Sequence, residues 1–132
     1  MVKLNAMSEK DHQIALVKWA SLNQITLVHN ANEGKRSPQG GKILKKMGMS
    51  SGFPDLALYE GFGGFYGMFL EMKQNREYRR SEMTTSTWKN QVEWVKRLND
   101  AGYSAKFAFG WEDGMNIIKH YISQPKTRII SV

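Results

Sequence analysis

A mixed α/β sheet flanked by helices is the fold class this chain predicts, and three observations predict it. Its hydrophobic periodicity alternates between helical and strand spacing in the order helix, three strands, helix, strand, helix. Its 132 residues are 41% hydrophobic, enough for one ordinary core. No internal repeat, proline-rich linker or low-complexity tract divides it, so residues 1–132 are expected to form a single domain.

Ser8, with Asp11 three residues on, marks a helix N-terminus and opens a helix from about Glu9 to Leu22. Ile25-Thr26-Leu27-Val28-His29 is β-branched and apolar enough for a strand. Residues 30–51 are polar, basic and glycine-containing, with a short helix expected over Lys42–Met47 and stopped by Gly48. Asp55–Tyr59 and Tyr66–Met72 read as a hairpin whose turn is the glycine-rich 60–65 segment. Ser86 or Thr87 can cap a helix running to Ala101, with Gly102 as its stop. Ala105–Phe109 predicts a fourth strand and Glu112–Ile122 a last helix, with Met115, Ile118, Tyr121 and Ile122 inward. The tail, residues 123–132, is open between an edge strand and disorder.

Nineteen Lys and Arg against twelve Asp and Glu give a net charge of +7, which favours a polyanionic partner, nucleic acid first. An apolar run of spanning length, a secretory leader and a lysine-rich amphipathic helix free of core duties are all missing, so no membrane partner is expected. The absence of cysteine excludes disulfides, zinc–thiolate sites and thiol catalysis, and is compatible with the cytoplasmic location we expect.

The chemistry concentrates in two short stretches: Gly52-Phe53-Pro54-Asp55 heading one strand and Phe69-Leu70-Glu71-Met72-Lys73 closing its partner. Side chains alternate along a strand, so Glu71 and Lys73 share a face, roughly 6 to 7 Å apart, and Asp55 can approach Glu71 from the paired strand. Two carboxylates, the main-chain carbonyl of Met72 and waters make an oxygen ligand set suited to Mg²⁺ or Mn²⁺. Lys73 beside them can orient a water or neutralise phosphate charge. Each piece alone is common: an E-x-K triplet is often a solvated ion pair, and G-x-P-D can be a turn.

Two polar residues fall on apolar helix faces. Glu9 and Gln13 sit near the centre of the stripe formed by Ile14, Leu16, Val17, Trp19 and Ala20. Glu9 either joins the strand acids or stays solvated in the first turn. Gln91 sits amid Trp88, Trp94, Val95, Leu98 and Ala101, where it either pins a loop or shares a polar pocket with the acids. Basic residues flank the same stretches, Lys35, Arg36, Lys42, Lys45 and Lys46 before the first and Arg76, Arg79 and Arg80 after the second, as phosphate-backbone contacts would require. His12 and His120 read as surface or packing residues. The tryptophans fit helix packing, except Trp88, which is placed to face DNA.

Taken in order, these residues resemble the PD-(D/E)XK nuclease superfamily. With their flanks they resemble its small, stand-alone VRR-NUC (virus-type replication-repair nuclease) proteins of phages and bacteria. The stretches that carry the resemblance are Ser8-Glu9 with Gln13, His29-x-x-Asn32-x-Gly34-Lys35-Arg36, Leu44-Lys45-x-x-Gly48, Gly52-x-Pro54-Asp55-Leu56, Leu70-Glu71-Met72-Lys73, Gln91-x-x-Trp94-x-x-x-Leu98 and Gly102-Tyr103. They span about residues 8–122. Asn30 and Glu33 depart from the pattern, replacing an apolar residue and a glycine, and both lie outside the metal residues.

The resemblance implies a restriction-endonuclease-like core in the order α-β-β-β-α-β-α. It implies Asp55, Glu71 and Glu9 as metal ligands, Lys73 as catalytic lysine and Gln91 as an active-site helper, and it gives His29 and Asn32 their weight as DNA contacts. The activity it implies is a Mg²⁺- or Mn²⁺-dependent endonuclease acting on structured or branched DNA, such as Holliday junctions or flaps, in phage replication, recombination or repair. Symmetric cutting would call for a homodimer. The alternative is a catalytically inactive DNA-binding module that keeps the fold.

Overall fold

The computed structural model describes residues 6–30 and 51–129. The predicted short helix at 42–47 and the basic residues Lys35, Arg36, Lys42, Lys45 and Lys46, with Asn32, lie outside them. Among the described residues the elements are α1 (Glu9–Leu22), β1 (Val28–His29), β2 (Leu56–Leu58), β3 (Met68–Lys73), α2 (Arg80–Met83), α3 (Ser86–Asp100), β4 (Ser104–Phe109) and α4 (Trp111–Ile122). No helix among them is long and apolar enough to cross a membrane.

The four strands form one sheet in the order β1-β2-β3-β4. β1 and β2, and β2 and β3, pair antiparallel, whereas β3 and β4 run parallel and α3 makes the crossover that parallel neighbours need. The expected mixed sheet flanked by helices is therefore the observed one. β3 is buried along its whole length, as the central strand should be.

Strand alternation sorts the interior into two layers. Leu56, Leu58, Met68, Leu70 and Met72 pack with Leu16 of α1 and Ile118 and Tyr121 of α4. Ala57, Phe69 and Ala105 pack with Leu98, Trp94 and Val95 of α3 on the other face. Because the period is two, Glu71 and Lys73 share the α3 face with Phe69, and Asp55 shares it with Ala57. The pleat thus aims the acids and the lysine at α3.

Local chemistry accounts for the boundaries. A capping box at Ser8 starts α1: the Ser8 hydroxyl accepts from Asp11 N at 3.1 Å, and Ser8 N donates back to Asp11 Oδ2 at 3.3 Å. Ile14, expected on the apolar face, is 55% exposed, because α1 buries only a narrow stripe around Leu16 and Ala20. β1 is shorter than the predicted 25–29. Ile25 N is taken by Ala20 O and Leu27 N by Ile25 O, so only Val28 and His29 are left to join the ladder. α2 was not foreseen; four residues are too few to show a period.

The tail is neither an edge strand nor disordered through residue 129. It crosses the hairpin loop by a single bridge, Phe62 to Lys126, with Gly63 N bonded to Pro125 O and Thr127 N to Gly61 O.

Candidate metal centre

The site forms at the end of the β2–β3 hairpin, where the sheet register continues one step past Leu56↔Leu70 and sets Asp55 against Glu71. Gly52 makes this possible. Its φ of +84° is a glycine conformation, and a side chain there would run into the α3 backbone at Asn90 and Gln91, at 2.8 to 2.9 Å. The turn before Asp55 therefore docks directly on α3 beside Gln91. From the β1 side, Asn30 pins the same turn, its amide donating to Pro54 O at 2.9 Å and its backbone N to Asp55 O at 2.7 Å. Asn30, a departure from the resemblance, thus helps to fix the acid-bearing strand.

Asp55 and Glu71 are almost sealed from water, 2% and 1% exposed. Asp55 Oδ2 accepts from Met72 N at 2.7 Å, which locks that carboxylate against β3. Glu9 arrives from α1. Gln74 holds the approach to that helix by donating to Met7 O at 3.0 Å. As a residue Glu9 is exposed, yet one carboxylate oxygen each of Glu9, Asp55 and Glu71 lie within 4.8 Å of one another. Of the two readings open for Glu9, the geometry selects the pocket.

Two of these acids, Glu71 and Glu9, resist ionising. Burial pushes the Glu71 carboxyl up to about 10; the adjoining Asp55 side chain, by hydrogen bonding and by charge, and Glu9 push the same way, against the pull of Lys73. Burial also raises Glu9, with Lys73 opposing and Asp55 adding to the rise. Glu71 Oε2 is buried with no hydrogen-bond partner among the described residues. An orphaned buried carboxylate oxygen inside an acidic cluster is what an oxygen-loving divalent cation would satisfy, so the residues present could hold a metal.

Lys73 is 7% exposed, and its ammonium donates to Gln91 Oε1 at 2.6 Å. Gln91 thus reaches the pocket through the lysine. Trp88 does not face away: its ring centroid lies 4.4 Å from Lys73 Nζ. Gln13 and His29 pair with each other, Nε2 to Nδ1 at 2.7 Å, beside the first helix. His12, expected at the surface or in packing, accepts from Trp111 N at 3.1 Å and so caps α4 from a distant part of the chain.

The basic residues after β3 divide. Arg79 and Arg80 are exposed. Arg76 grips Glu82 at 3.1 and 2.6 Å, donates to Gln74 and the Glu77 carbonyl, and covers the Tyr78 ring at 4.0 Å. Its guanidinium is committed within its own loop.

No protein-family model matches the chain, and no curated protein matches it in sequence. A solved structure described as a VRR_NUC domain protein superimposes with a TM-score of 0.73 over 96% of this chain and 100% of its own, at 23% sequence identity. The fold of this chain is VRR_NUC-like. At that identity the VRR_NUC likeness establishes architecture, and the chemistry rests on the pocket itself.

Proposed function

We propose that this protein is a divalent-metal-dependent nuclease of the VRR-NUC type that hydrolyses phosphodiester bonds in structured or branched DNA. The observation that carries the reading is the Glu9–Asp55–Glu71 cluster with its unpartnered Glu71 oxygen, set beside a buried lysine.

Asp55, Glu71 and Glu9 would hold the cation, with the Met72 carbonyl as a further oxygen. When bound there, Mg²⁺ or Mn²⁺ supplies charge stabilisation for the scissile phosphate and an acidified water. Lys73 donates to Gln91, a neutral acceptor, so its ammonium can orient the attacking water or offset charge growing on a phosphate oxygen. Its near-complete burial strengthens that interaction by keeping bulk water away. DNA-backbone contacts fall to Arg79 and Arg80, and to His29, Asn32, Lys35, Arg36, Lys45 and Lys46. Among the described residues no base-reading element stands out, which supports recognition by DNA shape. Cutting both strands of a symmetric junction calls for two such pockets, hence a homodimer, working in replication, recombination or repair in the cytoplasm, the host's for a phage-encoded chain.

The test is to incubate the protein with labelled junction, flap, single-stranded and linear duplex DNA, with Mg²⁺ or Mn²⁺ and with chelator. The expected result is a metal-dependent product, strongest on a branched substrate, lost in Glu71→Ala with DNA binding retained. Binding without any product would leave the inactive DNA-binding module as the correct reading.

A further inference from the structure

Among the described residues Lys73 has one side-chain hydrogen bond, to Gln91, although its ammonium is nearly excluded from water. An ammonium carries three donors and a full charge, and burying it with one neutral acceptor is costly. Besides the pocket acids Glu71 and Glu9, whose charges it opposes, its surroundings are aromatic. Nζ lies 4.4 Å from the Trp88 centroid and 5.9 Å from the Phe107 centroid, over two near-parallel rings whose own centroids are 5.7 Å apart. Both distances are within cation–π range.

The aromatic cluster is braced. Tyr78 leans on Trp88 at 5.1 Å and on Phe109 at 6.0 Å, and Phe109 meets Phe107 at 6.2 Å. Phe107 and Phe109 stand opposite Glu71 and Lys73 in the parallel register, so β4 supplies one side of the cluster on the same sheet face as the acids. Trp88 and Gln91 are one turn apart on α3 and share its face. The Thr85 N-cap fixes that turn by accepting from Trp88 N at 3.2 Å.

We propose that Trp88 is a positioning residue for Lys73: its ring face and the Gln91 amide oxygen together clamp the ammonium, setting where the remaining N–H bonds point. An aromatic face suits this task for a specific reason. It attracts the cation without taking a directed hydrogen bond and without cancelling the charge, as a carboxylate would. Donors and charge stay available to the phosphate or the attacking water. The effect on rate rests on the nuclease reading above; the placement of the lysine does not.

The experiment therefore has two readouts. In NMR spectra, the ring current should shift the Lys73 ε-methylene protons upfield, with the resonance identified by its loss in Lys73→Met; Trp88→Leu should return them to ordinary lysine values. In cleavage assays on the preferred substrate, Trp88→Leu should lower kcat by about tenfold or more with KM within about twofold, and Trp88→Phe should recover most of the loss. Unshifted Lys73 protons in the wild type overturn the proposal. So does a Trp88→Leu variant with unchanged kcat and a raised KM, the mark of a base-stacking surface. Should Trp88→Leu fail to fold, the wild-type shift and Trp88→Phe decide. Should the wild type cut nothing, the nuclease reading falls while the proton shifts still decide whether Trp88 seats the lysine.

Discussion

Glu71 and Glu82 lie on either side of Lys73 in the chain and have opposite electrostatic fates. Arg76 grips Glu82 through hydrogen bonds, and with a bond from Arg79 N holds it down at about 2. Burial beside two other acids pushes Glu71 up to about 10 and leaves one oxygen without a partner. The surface loop supplies its own countercharge, so its charges complete a structure. Among the described residues the pocket contains more acid than its one lysine balances, a deficit that the proposed cation would offset. Burial and missing partners, more than the number of charged residues, separate the functional region from the merely charged one.

The sharpest way to break this comparison is to titrate the metal-free protein. Glu71 holds its proton up to about 10 in the fold but only to about 4.5 in the unfolded chain, so the folded state binds more protons across that window. Metal-free stability should therefore fall as pH rises through it, and adding Mn²⁺ should flatten the slope. Glu71→Gln keeps the shape without the charge and should raise alkaline metal-free stability by ~2 kcal/mol or more, measured by denaturant unfolding. A wild-type slope that survives this substitution would mean that Glu71 is not the strained group.

A smaller effect sharpens the other half of the comparison. Arg79→Ala should weaken DNA binding and reduce the salt slope of log K by about one, whereas Arg76→Ala should change that slope less, since Glu82 already neutralises Arg76. Equal losses in fluorescence-anisotropy titrations across salt would show that Arg76 leaves Glu82 to meet phosphate.

Much of this was readable in the residues. The capping box at Ser8, the hairpin around the glycines and the α3 stop at Gly102 all announce themselves locally, because caps and turns are made by neighbours in sequence. The alternation that places Glu71 and Lys73 on one face is likewise local. What could not be read depends on distant partners. Asn30 looked like a mere departure from a pattern until it was seen holding Pro54 and Asp55. Trp88 offered only its proximity to a helix start, and its contact with Lys73 requires the α3 crossover that the linear chain does not display. Glu9 was undecided because a helix wheel gives a direction but not what stands in that direction.

The most direct test of the central claim is a calorimetric titration of metal-free protein with Mn²⁺ above neutral pH, wild type against Glu71→Gln. The account predicts saturable binding to the wild type, with protons released as Glu71 gives up its own, and loss of that site in the variant. No saturable binding, or binding that Glu71→Gln leaves intact, would contradict it.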